Sequence, residues 1–146
     1  MRVSILQNDH MGRPAASSYN ALRTMQANRR VSALEIRFRR ALWSSGIRGY
    51  RIHPRLPGSP DLAFPRHKLA VFVHGCFWHQ CPKGHLPAPK ANAEFWEAKF
   101  RENRRRDEAA VNALTAIEWT VMTIWECDLR ADMGAAIDSL REAMSR

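Results

Sequence analysis

The hydrophobic pattern of this chain changes its period at Gly46, and this change limits the folds open to it. Before Gly46, the stretch VSALEIRFRRALWSSG repeats apolar residues at helical spacing and predicts a helix from about Ser32 to Ser45. Beyond it, short strand-like apolar runs are separated by prolines and glycines that force turns; the runs occupy residues 50–53, 61–64 and 68–75. A chain with both periods must combine helices with a sheet.

Three further elements are predicted downstream, a helix at about 93–117, a buried strand at 119–125 and an amphipathic helix at 131–145. The segment 75–90 shows no regular period. The order α-β-β-β-α-β-α predicts an α/β fold with a mixed central sheet flanked by helices. At 146 residues, the chain is expected to form one domain over 19–146, after a flexible arm at 1–18.

The net charge indicates a polyanionic partner. Lysine and arginine number 23 against 14 aspartates and glutamates, a formal charge of +9, and arginine is densest at 37–40 and 101–107. Because the planar guanidinium group forms paired contacts with phosphate, nucleic acid is favoured over a merely solvated basic surface. The N-terminus lacks the apolar region of a secretory signal and no apolar run is long enough to cross a membrane, so a cytoplasmic location without membrane contact is expected.

The block VHGCFWHQCPKGH, residues 73 to 85, concentrates metal-binding residue types in an irregular segment. Cys76, Cys81 and His85 could supply three zinc ligands from one loop, and Cys127 is the remaining cysteine of the chain. A Cys3His set would form a closed, tetrahedral, structural site. The alternative is ordinary buried cysteines beside a surface histidine. The odd number of cysteines argues against a disulfide framework.

His74 and His79 remain outside this zinc set. His79 lies between Trp78 and Cys81, so a bound metal would fix its position, and a fixed imidazole is what a general base requires. The alternative for both histidines is a surface position. Phe77 and Trp78 leave two interpretations equally open: a wedge between stacked bases, or one packing residue and one that covers the loop.

The carboxylates are informative to different degrees. Asp107 belongs to a helical stripe that faces inward, formed by Trp96, Phe100, Asn103, Asp107, Val111 and Leu114. A buried carboxylate needs a partner such as histidine, arginine or a hydrated metal. Asp61 opens a predicted strand, where a turn residue is the alternative, and Glu35 completes a capping box with Ser32.

Four stretches resemble, in order and approximate spacing, the very short patch repair (Vsr) endonucleases: GSPDLAF, AVFVHGCFWHQCPKGH, PKANAEFWEAKFRENRRRD and WTVMTIWECDL. The resemblance runs from about Met25 to Leu129, and HGCFWH is a highly specific block. Members of this family are bacterial DNA mismatch endonucleases with a restriction-endonuclease-like core. They cut the strand 5′ to the thymine of a T·G mismatch that arises from deaminated 5-methylcytosine.

The resemblance implies roles for individual residues. Asp61 matches the Mg²⁺-binding aspartate, which is aided by the backbone carbonyl of Val73. His79 matches the general base, and the groups that hold water at the metal and phosphate are His74, Asp107 and Glu35. The intercalating residues are Phe77, Trp78 and Met25, and the structural zinc ligands are Cys76, Cys81, His85 and Cys127.

The expected function is therefore Mg²⁺-dependent nicking of double-stranded DNA at a T·G mismatch by a monomer, associated with the bacterial nucleoid. Contacts with other mismatch-repair proteins are left open by the sequence. One alternative is a restriction-like nuclease without mismatch preference. Another is a zinc-stabilised DNA-binding protein that has lost catalysis, against which the joint presence of Asp61, His79 and Asp107 speaks.

Overall fold

The computed structural model describes residues 33–84 and 88–146. Helix α1 covers 33–44. Three antiparallel strands follow it, β1 (Arg51–Ile52), β2 (Leu62–Phe64) and β3 (Leu69–His74), and a 3-10 turn at Pro65–His67 joins the last two. The second half of the chain contains α2 (Ala93–Ala116), β4 (Thr120–Trp125), α3 (Glu126–Ala131) and α4 (Met133–Met144).

The strands form one mixed sheet in the order β1-β2-β3-β4. Pairing is antiparallel between β1 and β2 and between β2 and β3, whereas β3 and β4 run parallel and are joined through α2. Two parallel strands need such a long crossover connection, which explains why the longest helix lies between them. The carboxyl ends of β3 and β4 consequently meet at one edge, where His74 is in register with Trp125.

Strand β3 divides the core between the two faces of the sheet because its side chains alternate. Leu69, Val71 and Val73 join the large cluster that α1, α3 and α4 build on one face. On the other face Ala70 and Phe72 pack against α2 through Ala110 and Leu114. The same alternation points His74 toward α2, since it follows Phe72 by two residues.

The loop before β2 passes very close to α2. Gly58 has φ +75°, and a Cβ atom at this position would lie 2.2 Å from the Cβ of Ala110. Only glycine fits both the backbone conformation and the space. This close approach brings the segment that carries Asp61 against the helix that carries Asp107.

The helices and strands that the sequence predicts are confirmed with small shifts of their ends, and so is the mixed α/β class with a four-stranded sheet flanked by helices. Helix α3 was not expected. The prediction for Val111 is wrong, since 40% of it is exposed and Ala110 is buried instead. The steps from Asn103 to Asp107 and from Asp107 to Val111 are each four residues long, slightly more than one helical turn. Because two such steps follow each other, position 111 is rotated away from the buried stripe.

The arm predicted at 1–18 lies outside the described residues, as do Met25 and His85. Among the helices that the structure describes, none combines the length and the apolar character that crossing a membrane requires.

Candidate active site

Two histidines and an aspartate meet where β3 ends. His79 Nδ1 lies 2.7 Å from Asp107 Oδ2, within hydrogen-bond distance, and His74 Nε2 lies 3.9 Å from Asp107 Oδ1. The two imidazole rings stack with centroids 3.8 Å apart and planes 4° from parallel. The helical stripe on α2 and the loop after β3 thus form one compact polar cluster.

The position of His79 is fixed by the backbone of its loop. Its N–H donates to the carbonyl of Gly75, and the N–H of Cys81 donates to the carbonyl of Cys76. Asn103, one turn before Asp107 on α2, donates its side-chain N–H to the carbonyl of Trp78 at 2.9 Å. The helix therefore holds both the histidine and the loop that carries it.

Burial keeps His74 neutral. Only 8% of this residue is exposed, and the loss of solvation, with the nearby His79 as a second cause, lowers its pKa to about 4; Asp107 opposes the shift. At neutral pH the stacked pair therefore carries at most the charge of His79. A neutral His74 can pack against that ring without charge repulsion.

Asp61 lies beside the same cluster, immediately before β2 and next to the end of β3. The N–H of Val73 donates to Asp61 Oδ2 at 2.6 Å, and the backbone N–H of Asp61 donates to the carbonyl of Val71. Burial raises the pKa of Asp61 to about 7, the Val73 hydrogen bond opposes this, and the neighbouring Glu35 raises it further. The charge of His79 is near enough to lower it. A carboxyl group that is buried beside another carboxylate needs a nearby positive group to stabilise its charged form.

Glu35 and His53 complete this side of the site. Possible ligand atoms of Glu35, His53 and Asp61 all lie within 4.8 Å of one another. Glu35 Oε1 is buried without a hydrogen-bond partner among the described residues, although Arg39 approaches it at 3.7 Å and His53 Nε2 at 3.9 Å. Two adjacent carboxylates in this setting are a chemically suitable place for a cation.

The three cysteines converge at the other end of the loop. Their sulfur atoms lie within 4.8 Å of one another, and those of Cys81 and Cys127 are 3.7 Å apart. All three are free thiols. Burial raises the pKa of Cys76 to about 12, so this sulfur retains its proton unless a cation compensates for the charge. A contact between Lys83 and Asp128 also ties the loop to α3.

The two neighbouring aromatic residues pack against α2. The ring of Phe77 contacts those of Trp78, Trp96 and Phe100 in edge-on geometry, with centroids 5.4 to 5.6 Å apart. Phe77 and Trp78 are only half-buried, whereas Trp96 and Phe100 belong to the core. The indole N–H groups of Trp78 and Trp96 are buried without hydrogen-bond partners in the described part of the chain.

Known proteins with similar sequences identify the family to which this site belongs. The sequence model of the family described as DNA mismatch endonuclease Vsr matches residues 19–83. The DNA mismatch endonuclease Vsr of Escherichia coli (strain K12) is 32% identical over 116 residues, which are 79% of this chain and 74% of that protein. The chain belongs to the Vsr family. It is accordingly a DNA endonuclease, a hydrolase of the mismatch-repair class.

Other relatives of this Vsr-family chain are named as nicking enzymes. The type II nicking enzyme V.XorIIP of Xanthomonas oryzae pv. oryzae (strain KACC10331 / KXO85) is 43% identical over 109 residues, 73% of this chain and 77% of the relative. The type II nicking enzyme V.NaeI of Lentzea aerocolonigenes is 37% identical over 134 residues, 87% of this chain and 80% of the relative.

The structure brings the described site residues of this Vsr-family chain into three adjoining groups. They are the histidine–aspartate cluster of His74, His79 and Asp107, the carboxylate group of Glu35 and Asp61, and the thiol group of Cys76, Cys81 and Cys127. At Val73 the described contact with Asp61 is made by the N–H, so a metal-binding role of its carbonyl stays a prediction. His53 was not predicted as a site residue, because its local sequence indicates only the end of a strand.

Proposed function

We propose that this enzyme nicks one strand of double-stranded DNA 5′ to the thymine of a T·G mismatch, with Mg²⁺ as its catalytic cation and a restriction-endonuclease-like core. The observation that carries the proposal is the 2.7 Å contact between His79 and Asp107, beside the carboxylates of Asp61 and Glu35. A general base and a cation-binding carboxylate at the ends of neighbouring strands are what hydrolysis of a phosphodiester requires.

His79 is the general base in this proposal. Asp107 accepts a hydrogen bond from Nδ1–H of His79, which leaves Nε2 free to take a proton from water. The water oxygen then forms a bond to phosphorus, and the bond to the leaving deoxyribose oxygen breaks. The carboxylate of Asp107 stabilises the imidazolium ion that results. His74, neutral and stacked on His79, fixes the plane of the ring.

The carboxylate group has the chemistry to hold Mg²⁺. Asp61 Oδ2 is engaged by the Val73 N–H, which leaves Oδ1 for a cation, and Glu35 Oε1 is a second buried oxygen nearby. Carboxylate oxygens are the ligands that hard divalent cations prefer. When bound, such a cation polarises the phosphate and stabilises charge on the leaving oxygen.

The thiol group supports a structural zinc ion held by Cys76, Cys81, Cys127 and His85. Two sulfur ligands of a tetrahedral zinc with bonds of about 2.3 Å lie about 3.8 Å apart, and Cys81 and Cys127 are separated by 3.7 Å. Zinc would lower the pKa of the buried Cys76 thiol and fix the loop that carries His79. His85 as the fourth ligand follows from the family resemblance.

Mismatch recognition is assigned to Phe77 and Trp78, with Met25 entering from the opposite groove. Both aromatic side chains are half-buried, and the indole N–H of Trp78 has no hydrogen-bond partner among the described residues. Moving these two side chains out of the cluster therefore breaks no side-chain hydrogen bond that they make in the described structure. A poorly stacked T·G step is easier to open than a matched one, and this difference favours the mismatch. We expect the enzyme to act as a monomer on chromosomal DNA in the cytoplasm.

The activity is tested by a nicking assay on matched and T·G duplexes with identical flanking sequence. We expect one nick 5′ to the mismatched thymine, only in the T·G duplex and only with Mg²⁺ present. Equal nicking of both duplexes would instead indicate a nicking enzyme without mismatch preference. Absence of cutting together with retained binding would indicate a DNA-binding protein.

Cation affinity should depend on pH through Asp61. Because the pKa of its carboxyl is raised to about 7, a proton competes with the cation below this pH and no longer competes above it. We expect Mg²⁺ affinity to fall roughly tenfold per pH unit as the pH drops below about 7. Titration calorimetry in buffers of different ionisation enthalpy measures the affinity and the released proton. A pH-independent affinity would argue against Asp61 as the ligand.

Joint replacement of Phe77 and Trp78 by alanine should reduce the preference for T·G over matched duplex while residual nicking still requires Mg²⁺. The matched control is Phe95→Ala, because Phe95 contacts Trp96 at 5.3 Å from the same aromatic cluster. Gel-shift titrations measure the preference, and thermal melting separates it from lost packing. If the double variant retains full preference, both residues have only a packing role.

A further inference from the structure

His53 lies at the carboxylate group of the site and takes no part in the proposed reaction as described by the roles of His79, Asp107 and Asp61. Its side chain is 65% exposed, and its Nε2 atom lies 3.9 Å from Glu35 Oε1. Ligand atoms from Glu35, His53 and Asp61 lie within 4.8 Å of one another, although the three residues come from separate segments of the chain. The imidazole therefore faces the same space as the two carboxylates.

The backbone holds His53 in this place. Its N–H donates to the carbonyl of Asp61 at 3.0 Å, and the adjoining residues Ile52 and Leu62 are paired in the antiparallel ladder. These contacts fix the distance between the two backbone segments independently of any ligand. The imidazole of His53 and the carboxyl of Asp61 therefore project from backbone positions that are held together.

The backbone of His53 limits which substitutions can replace it without strain. Its φ is +47°, in the left-handed region, where asparagine or glycine meets less steric cost than most other residues. Histidine itself adopts this region more often than most residues do. A variant that tests the imidazole must therefore tolerate the same backbone conformation, as asparagine and glycine do.

We propose that His53 is a nitrogen ligand in a divalent-cation site that it forms with Glu35 and Asp61. The proposal deepens the proposed function, because it takes Asp61 as a cation ligand and adds a residue of different chemistry. Imidazole nitrogen is a better ligand for transition metals than for Mg²⁺, whereas carboxylate oxygen suits both. The mixed set should therefore bind Mn²⁺ more tightly than Mg²⁺.

Two neighbouring features bear on the number of cations and on the source of the nitrogen ligand. Arg39 approaches Glu35 Oε1 at 3.7 Å, so its positive charge opposes the binding of a second ion here. The cluster of His74, His79 and Asp107 also offers nitrogen, but there His79 Nδ1 is already engaged by the carboxylate at 2.7 Å. A test of the proposal must distinguish nitrogen from His53 and nitrogen from these two histidines.

The experiment is Mn²⁺ binding to the full-length, zinc-loaded chain, measured by titration calorimetry and by pulsed electron paramagnetic resonance, which detects ¹⁴N bound to Mn²⁺. His53→Asn is the main variant because asparagine tolerates the left-handed backbone, and His53→Gly is the second. His67→Asn is the matched control, since His67 is an exposed histidine of the 3-10 turn. His74→Asn and His79→Asn are measured alongside.

We expect ¹⁴N coupling in the unchanged protein and in the His67, His74 and His79 variants, and its loss in both His53 variants. Mn²⁺ affinity should fall roughly 10–100-fold in these two variants, with a smaller change for Mg²⁺. Coupling that persists without His53, or that disappears with His74 or His79 instead, overturns the proposal. So does Mn²⁺ binding without any nitrogen coupling, although that result leaves Asp61 as a cation ligand.

The Asp61→Asn variant separates this inference from the function on which it rests. If Asp61→Asn abolishes both Mn²⁺ binding and nicking while the unchanged protein lacks nitrogen coupling, only the role of His53 is wrong. If Asp61→Asn still binds Mn²⁺ with unchanged affinity and still nicks DNA, the cation lies elsewhere and both assignments are wrong.

Discussion

Replacement of His79 by alanine should lower the single-turnover rate of nicking by about 10²–10⁴-fold, the usual contribution of a positioned acid or base. Binding to T·G duplex and the zinc content should be retained, because His79 is half-buried and its loop is also held by Asn103 and by backbone hydrogen bonds. The measurement is the rate of nicking with saturating enzyme, beside a gel-shift titration on the same duplex.

Two companion variants sharpen this expectation. Asp107→Asn removes the charge that stabilises protonated His79 and should also slow nicking, whereas His67→Ala, an exposed histidine outside the site, should leave the rate unchanged. If His79→Ala nicks DNA at the original rate, the base is another group, and His74 is the next residue to test.

Substitution of Cys127 by serine should remove most of the zinc and strongly destabilise the fold. The residue connects α3 to the irregular loop through a 3.7 Å approach to Cys81, and the free energy of metal binding at such a site contributes directly to folding. We expect about one zinc per chain in the unchanged protein by elemental analysis. The variant should show a lower zinc content together with a lower thermal midpoint or loss of soluble protein.

Asp128→Asn is the matched control for this experiment. It affects the neighbouring residue of α3 and removes an exposed contact with Lys83, yet it leaves all three thiols in place. An exposed ion pair contributes little to stability because solvent screens it, so the control should remain folded and loaded with zinc. A Cys127→Ser protein with unchanged stability and full zinc content would contradict the structural role of the metal.

Much of the architecture follows from local sequence, because helical and strand periods are properties of short windows. The strands before the HGCFWH block, the long α2 and the closing α4 could all be predicted in this way. The block also marked four possible donors at the end of β3 and in the loop that follows it: His74, Cys76, His79 and Cys81. They are close in sequence, so their proximity requires no knowledge of the rest of the chain. The family followed from the same block, supported by stretches before and after it.

What the sequence left open depended on register and packing between distant segments. His79 and Asp107 are 28 residues apart, and Cys81 and Cys127 are 46 apart, so each contact exists only because α2 and β4 return to the end of β3. Val111 shows the limit of a helical stripe, since an accumulated rotation of the helix carried it to the surface.

His53 makes the same point within the carboxylate group. Its sequence context indicates only the end of a strand, and the pairing of β1 with β2, together with the packing of α1, places its imidazole beside Glu35 and Asp61. Local periodicity determined which elements form, and the residue types of one short block indicated which residues could do chemistry. The tertiary structure decided which of those residues meet, because side-chain convergence depends on how the elements pack and not on the order of residues within any one of them.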